Sequence, residues 1–204
     1  MSLNKYFSKS QAGQDSWVSD TLNNKQKGFF VDIGAHDGVF ISNTHMLEKY
    51  LGWNGICIEA DPNRFDSLCH NRSSINVPLA VRNYKGFCYF IKEGPDGHVV
   101  ANINKGDIPC DTLHNILVEH GAPCHIDYIS LDIEGLEVEV LESFPFIKWD
   151  VNLWTIEHNL FQDGPANKEK IFEIMSANGY QRVIDNACAG GNPNYPFEDW
   201  YKKI

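Results

Sequence analysis

The sequence predicts one α/β domain in which a doubly wound, mostly parallel sheet carries helices on both faces. Short apolar segments typical of buried strands alternate with segments of helical periodicity, an order that implies right-handed crossovers and a parallel sheet. Glycines and acidic residues directly follow several of the strand-like segments. The 204 residues, 43% of them hydrophobic, suffice for one sizeable core and leave little length for a second domain. We therefore expect a single domain over residues 1–204.

The first half of the chain shows the alternation most clearly. Phe29–Ile33 is apolar almost throughout and precedes a glycine, which predicts a short buried strand. Ser42 can cap a helix that Gly52 ends, and Asp61 with Pro62 supplies the cap and the first turn of the next helix. Further strands are expected at 55–59 and 75–80.

In the second half, strands and helices continue to alternate around one insertion. The turn signal Gly94–Gly97 lies between two strand-like segments and predicts a hairpin insertion over 86–107. Asp111 is expected to cap a helix that Gly121 ends. Further strands are expected at 126–133, 151–157 and 180–184, and further helices through Val138 and Leu141 and over 168–178.

The two ends of the chain carry weaker signals. Segment 8–24 is interpreted as a helical lid over a ligand site, with Trp17 equally compatible with plain core packing. Segment 186–204 is rich in Gly, Pro, Asn and aromatic residues, so we expect an ordered tail or a poor edge strand. Its aromatic side chains either stack on a ligand or pack as a C-terminal clasp: Tyr195, Phe197, Trp200 and Tyr201.

Composition excludes several classes of function. The net charge is −10 and no stripe of basic residues is visible, so a nucleic-acid acceptor is not expected. No run of about 18 apolar residues exists that could span a membrane, and the N-terminus lacks the apolar stretch of a signal peptide, so the cytoplasm is expected. The six cysteines contain no Cys-x-x-Cys pair, which favours buried free thiols over a zinc site.

The loop after the first strand indicates a nucleotide-like cofactor. Gly34 and Gly38 allow a sharp turn, but the spacing departs from the Gly-x-Gly-x-x-Gly of dinucleotide sites, and Asp37 lies where a phosphate would approach. Glu59, at the end of the second strand, can accept two hydrogen bonds from a ribose diol. S-adenosyl-methionine has a ribose, an ammonium and a sulfonium but no phosphate, so an acidic loop suits it better than NAD. The alternative is a glycine turn that binds no ligand.

Several segments together resemble one known family. They are Phe30–Gly38, Ser42–Thr44, Leu47–Glu48, Gly52–Pro62 and Ile129–Glu137, with Ser10–Asp15 similar to the start of one branch. This combination resembles the FkbM family of methyltransferases over about residues 10 to 160. The resemblance implies a Rossmann-like class I methyltransferase fold, S-adenosyl-methionine as cofactor, and O-methylation, largely of sugars and natural-product hydroxyls.

The resemblance also implies cofactor contacts, position by position. Asp32, Gly34 and Gly38 would hold the methionine end, and Glu59 the ribose hydroxyls. Asp61 would lie near the adenine, and Ala80, at the end of the third strand, would face its ring. Family members often carry Asn-x-Gly where this chain has His36-Asp37-Gly38, which leaves the role of His36 open. The remaining implied contacts are Ala35, Asn43, Ala60 and Asp132.

The reacting end is expected after the fourth and fifth strands. A sugar hydroxyl is weakly acidic, so its methylation calls for a base or for a metal that lowers its pKa. Asp132, Glu134 and Glu157 are candidate bases, and so is His158, whose ordinary pKa lies near 6.5. Because adjacent parallel strands end about 5 Å apart, Asp132 and Glu157 could share a proton, a substrate or a Mg²⁺ ion. The alternatives are a helix-terminal charge at Glu134 and a surface position for His158; Glu137, Glu139 and Glu142 are expected on a solvated helix face.

The leading hypothesis is therefore an S-adenosyl-methionine-dependent O-methyltransferase that acts on a glycan or a small hydroxylated metabolite. An N-methyltransferase for a small amine or peptide is an alternative, because a neutral amine needs no strong base. A catalytically silent cofactor-binding module is a second alternative, and a dehydrogenase is disfavoured by the loop. Acceptor pockets in this architecture are built by variable loops, here expected at 92–110 and from 186 onward. The sequence leaves a homodimer open.

Overall fold

The computed structural model describes residues 7–91, 98–100 and 106–204. Its helices are α1 Gln14–Thr21, α2 His45–Leu51, α3 Pro62–Asn71, α4 Leu113–Glu119, α5 Glu137–Ser143, α6 Leu160–Asp163 and α7 Pro165–Ala177. Its strands are β1 Phe29–Ile33, β2 Asn54–Ile58, β3 Ile75–Val77, β4 Ala80–Arg82, β5 Gly86–Ile91, β6 His98–Val100, β7 Ile108–Thr112, β8 His125–Leu131, β9 Asp150–Glu157, β10 Tyr180–Cys188 and β11 Pro196–Lys203. In the described ranges, no helix is long and apolar enough to cross a bilayer.

A seven-stranded sheet in the order β3-β2-β1-β8-β9-β11-β10 organises the molecule. β3, β2, β1, β8 and β9 run parallel, whereas β11 is antiparallel to both of its neighbours. The chain winds outward from β1 to β3 and then returns to place β8 on the other side of β1. The crevice at this switch point, outside the carboxyl ends of β1 and β8, is where open α/β sheets bind ligands.

Helices cover both faces of the sheet, as the sequence predicts. Alternate residues of β1 point to opposite faces, so Val31 and Ile33 lie in one core cluster and Phe30 in the other. The first cluster includes Leu117 of α4, Leu141 of α5 and Ile171 of α7. The second includes Val18 of α1, Leu47 of α2 and Leu68 of α3.

The predicted bounds of the third strand, 75–80, are wrong. It ends at Val77, and Ala80 begins β4, which belongs to a second sheet in the order β4-β7-β5-β6. Pro78 has no N–H to donate to a ladder, which favours a break at this point. β5 and β6 form an antiparallel pair within the predicted hairpin insertion, but the turn signal itself lies at 94–97, outside the described residues.

The C-terminal segment contains a strand that is not at an edge. β11 pairs with β9 on one side and with β10 on the other, so the expectation of a poor edge strand is wrong for Pro196–Lys203. Phe197, Trp200 and Tyr201 are buried, whereas Tyr195 is exposed. The three buried aromatic residues therefore pack as part of the fold.

Two further expectations, on the helix N-caps and on the cysteines, are wrong in part. The N-cap residues are Thr44 and Thr112 rather than Ser42 and Asp111, although the Ser42 hydroxyl accepts hydrogen bonds from the N–H groups of Thr44 and His45. The six cysteines are free, but Cys69 and Cys124 are exposed rather than buried.

Candidate active site

A cavity lies at the carboxyl ends of β1, β2 and β8, at the switch point of the sheet. The predicted site residues that line it are Asp32, Gly34, Ala35, Asn43, Glu59, Ala60, Ala80, Asp132 and Glu134. Those that do not line it are Gly38, Asp61, Glu157 and His158. Segment 8–24 contributes no lining residue, and its role as a lid stays a prediction.

Glu59 is fixed at one end of the cavity by two backbone groups. The His36 N–H donates to its Oε2 at 2.8 Å, and the Asp61 N–H donates to its Oε1 at 2.7 Å. Burial raises the pKa of Glu59, while these two hydrogen bonds lower it. Each carboxylate oxygen has a further lone pair, so the anchored group can still accept hydrogen bonds from a ligand.

The two loop glycines serve different contacts. Gly34 has φ +84°, and a Cβ there would lie 1.8 Å from the Asp132 carbonyl oxygen, so only glycine lets the ends of β1 and β8 approach this closely. Gly38 has φ +80°, and a Cβ there would lie 2.5 Å from Cγ of Arg72. Gly38 thus makes room for Arg72 rather than for the cavity, and its position does not support the implied contact with the methionine end.

Arg72 is the centre of a buried polar network behind the loop. Its Nε donates to Glu48 Oε2 at 2.7 Å, and its Nη2 donates to Thr44 Oγ1 at 2.9 Å. Thr44 Oγ1 in turn donates to Asp32 Oδ2 at 2.5 Å. Burial raises the pKa of Asp32, and the nearby guanidinium partly offsets this. Asp32 therefore lines the cavity with one carboxylate oxygen already committed to the network.

Asn43 brings a buried acceptor to the cavity. Its Nδ2 donates to Ser130 Oγ at 2.9 Å, while its Oδ1 has no hydrogen-bond partner among the described residues. A buried polar atom of this kind is costly unless a ligand or a water satisfies it. Asn43 Oδ1 is therefore suited to bind a donor group of a ligand.

Of the two residues predicted to lie near the adenine, Ala80 lines the cavity and Asp61 does not. Asp61 caps α3, where its Oδ1 accepts from the Asn63 N–H at 2.9 Å, and it lies outside the cavity lining. Ala80 lines the cavity, although it begins β4 instead of ending β3. The same wall contains apolar side chains that the sequence did not single out: Ile58, Leu79 and Val81.

Three carboxylates cluster beside the cavity, and two of them, Asp132 and Glu134, line it. One oxygen each of Asp132, Glu134 and Glu157 lie within 4.8 Å of one another. Glu134 adopts φ +57°, and its Oε2 accepts from Asn159 Nδ2 at 3.2 Å. Burial raises the pKa of Glu157 well above its usual range, and the Asp132 carboxylate raises it further. The structure thus brings together the acidic residues at the carboxyl ends of β8 and β9.

His158 is in a position unsuited to a general base. Its side chain is fully buried, its Nδ1 accepts from the Leu160 N–H at 3.1 Å, and its Nε2 lies 3.3 Å from Asp199 Oδ1. Because Nδ1 accepts a hydrogen bond, Nε2 carries the proton and donates to Asp199. Both ring nitrogens are therefore engaged, so the alternative of a surface histidine is wrong, and the role of a general base stays a prediction that this geometry does not support.

Two of the three glutamates expected on a solvated helix face are not there. Glu137 is buried, and its carboxylate accepts from the N–H groups of Ile133 and Gly135. Burial raises its pKa to about 7. Glu139 accepts from Arg82 Nε at 2.8 Å, and only Glu142 is more than half exposed.

Sequence reasoning missed Glu198, which lies on β11 directly opposite Glu157 on β9. It is fully buried, and its Oε1 accepts from Gln14 Nε2 and Trp200 Nε1. Burial, and then the Asp132 carboxylate, raises its pKa to about 8. The signal was a pair of acidic residues, Glu198 and Asp199, inside a stretch that is otherwise apolar enough to form a strand.

Comparison with known proteins places the chain in a family. The family model of the methyltransferase FkbM domain matches residues 32–182, which contain the cavity loops, Glu59 and the three clustered carboxylates. The chain belongs to the FkbM methyltransferase family. The resemblance noted in the sequence is thereby confirmed, and the chain is a methyltransferase. No curated protein matched the chain in a separate search.

Solved structures share the fold of this FkbM methyltransferase at low sequence identity. A putative rRNA methylase from Clostridium thermocellum is 12% identical with a TM-score of 0.55, and the match covers 96% of this chain and 97% of that one. Fibrillarin from Aeropyrum pernix with natively bound S-adenosyl-L-methionine is 9% identical (TM-score 0.53; 88% and 67% covered). The N-terminal domain of human METTL16 in complex with SAH is 12% identical (TM-score 0.52; 91% and 66% covered). These similarities confirm the Rossmann-like methyltransferase fold.

Proposed function

We propose that this FkbM methyltransferase uses S-adenosyl-methionine to methylate a hydroxyl group of a sugar, a glycan or a small metabolite. The observation that carries the proposal is the cavity itself. It has a doubly anchored acceptor, Glu59, at one end and the Asp132 carboxylate at the other, with an apolar wall beside Glu59.

The lining residues fit S-adenosyl-methionine, which supplies a methyl group on a positively charged sulfonium. Glu59 can accept hydrogen bonds from the two ribose hydroxyls. Asn43 Oδ1 can accept a hydrogen bond from the ammonium group, because it is buried and has no hydrogen-bond partner among the described residues. Asp32 belongs to the same cavity lining. Ile58, Leu79 and Val81 provide an apolar surface for the adenine. The cavity offers no such fit to a pyrophosphate, because Asp32 and Glu59 place carboxylates on its lining.

Asp132 is the residue that we assign to accept the proton of the acceptor hydroxyl. Of the four candidate acid–base residues, only Asp132 and Glu134 line the cavity. The Asp132 N–H donates to the Ile33 carbonyl at 3.0 Å, which fixes its backbone beside the end of β1. A positioned base of this kind contributes about 10²- to 10⁴-fold to the rate of a proton-transfer step.

The charge around the site favours an acceptor that is not a polyanion. Asp132 and Glu134 line the cavity with Glu157 within 4.8 Å of them, and the net charge of the chain is −10. A phosphodiester backbone would be repelled there, whereas a neutral hydroxylated ring would not. The alternative is an N-methyltransferase, which would not depend on a base at Asp132, because a neutral amine attacks without a strong base.

The substitution Asp132→Asn tests the assignment. It preserves the shape of the side chain and removes its charge and basicity, so methyl transfer from labelled S-adenosyl-methionine to hydroxylated acceptors should fall by about 10²-fold or more. The free energy of unfolding should change by less than about 1 kcal/mol. Asp150→Asn, at a half-exposed carboxylate far from the cavity lining, is the control and should keep its turnover. A transfer rate that survives Asp132→Asn, above all with amine acceptors, would favour N-methylation instead.

A further inference from the structure

Two buried carboxylates face each other behind the cavity. Glu157 and Glu198 occupy directly opposite positions on β9 and β11. Glu157 is 6% exposed and Glu198 is 0% exposed. The Oε2 atom of each has no hydrogen-bond partner among the described residues. In the same described ranges, neither carboxylate forms an ion pair with a lysine, an arginine or a histidine.

Such an arrangement is costly unless a positive charge offsets it. Burying a carboxylate without a compensating positive charge is strongly disfavoured, and neighbouring carboxylates also repel each other. Asp132 and Glu134 add two more carboxylates, each with an oxygen within 4.8 Å of one from Glu157. Asp132, Glu134 and Glu157 thus form one group of carboxylates, and Glu198 lies next to Glu157 on the neighbouring strand. The described residues supply no cationic partner to Glu157 or Glu198.

The N-terminal segment fixes the orientation of Glu198. Gln14 Nε2 donates to Glu198 Oε1 at 3.0 Å, and Gln14 Oε1 accepts from the Ala12 N–H at 2.8 Å. Asp15 in turn holds the segment, because its carboxylate accepts from the hydroxyls of Ser8 and Ser10. The Ser10–Asp15 motif therefore holds one oxygen of Glu198 and leaves the other available.

We propose that Asp132, Glu134 and Glu157 bind a divalent cation, that Glu198 is a fourth carboxylate of the same site, and that Gln14 positions Glu198. A hard cation such as Mg²⁺ or Mn²⁺ is the class that carboxylate oxygens and water ligate. The site adjoins the cavity through Asp132 and Glu134, so a cation there can bind an acceptor hydroxyl and lower its pKa. In this respect the inference rests on the proposed function and extends it.

Manganese binding to the full chain, followed by electron paramagnetic resonance after EDTA treatment, tests the site without any acceptor. The wild type should bind one Mn²⁺ saturably below about 1 mM, and Mg²⁺ should compete. Glu157→Gln and Glu198→Gln should each weaken binding at least tenfold. Glu173→Gln, at a 70% exposed carboxylate on α7, should leave binding unchanged.

A second pair of variants tests the positioning role. Gln14→Ala should weaken Mn²⁺ binding about tenfold, as removal of a group that orients a ligand does. Gln11→Ala should not, because Gln11 accepts from the Gly190 N–H through its backbone carbonyl, which the substitution keeps. If Glu198→Gln fails to fold by circular dichroism, Glu157→Gln and Gln14→Ala decide the question.

Absence of saturable binding in the folded wild type would overturn the proposal and would mean that protons neutralise these carboxylates. Binding that is insensitive to Glu157→Gln and Glu198→Gln would overturn it as well. S-adenosyl-homocysteine titrated into the same preparations separates this outcome from a failure of the proposed function. If the wild type binds S-adenosyl-homocysteine but not Mn²⁺, only the cation site is refuted. If the wild type does not bind S-adenosyl-homocysteine, the proposed methyl-donor site is refuted.

Discussion

Gly34 lies where the loop after β1 meets the loop after β8, between two residues that line the cavity. Its φ of +84° and the 1.8 Å distance from a built Cβ to the Asp132 carbonyl oxygen leave no space for a side chain. Any larger residue must push Asp132 away from the cavity or distort the turn. The placement of the proposed base therefore depends on the absence of a single methyl group.

Gly34→Ala should lower the free energy of unfolding by more than about 3 kcal/mol, because a backbone clash adds to the left-handed strain. Gly121→Ala is the matched control, since Gly121 has φ +66° but open space around its Cβ position. It should cost only about 1 kcal/mol, the steric cost of that conformation for an L-residue. Urea unfolding measures both, and equal losses in the two variants would show that the contact with Asp132 has no effect.

At the scale of elements, Arg72 ties together β1, α2 and α3. Its guanidinium bonds Glu48 of α2 and Thr44 at the start of α2, and it stacks over Phe30 of β1 at 5.3 Å. Burial raises the pKa of Glu48, but the Arg72 charge and the Ser73 N–H outweigh it and hold that pKa below its usual value of 4.5. A carboxylate with a depressed folded pKa stabilises the fold above its unfolded pKa and loses that contribution as the pH falls.

Glu48→Gln should therefore destabilise the protein by about 2 kcal/mol at pH 7, the range for a hydrogen bond to a charged group. The difference between wild type and variant should shrink as the pH falls below about 4.5 and through the lower folded pKa. Urea unfolding at pH 7, 4.5 and 3.5 measures this difference, with Glu173→Gln as an exposed control. A difference that does not depend on pH would contradict the ionic role of Glu48.

The elements that the sequence predicted well are those whose signals are local. Phe29–Ile33 is buried on both faces, so it appears as a continuous apolar run, and Asp61 and Pro62 start α3 through contacts within the helix. β7 and β11 could not be recognised in this way. Pro109 interrupts the first, and the buried acids of the second have partners such as Gln14 and Arg182 that are distant in sequence.

At the scale of the whole molecule, the rule that ligands bind at the carboxyl ends of the strands predicted much of the cavity. Asp32 is the penultimate residue of β1, Glu59 and Asp132 directly follow β2 and β8, and all three line the cavity. The same rule could not tell that Gly38 and His158 serve buried contacts, because Arg72 and Asp199 reach them from other parts of the chain. The sequence also gave no means to place Glu198 opposite Glu157, since that depends on β11 lying inside the sheet.

Calorimetric titration with S-adenosyl-homocysteine measures whether the cavity binds S-adenosyl-methionine through Glu59. The wild type should bind one equivalent, Glu59→Ala should bind at least tenfold more weakly, which is about 1.4 kcal/mol, and NAD should produce no binding heat. Glu119→Ala, at an exposed position on α4, is the control, and melting temperatures check that each variant is folded. Unchanged affinity in folded Glu59→Ala, or saturable binding of NAD, would show that Glu59 does not bind the ribose of S-adenosyl-methionine in this cavity.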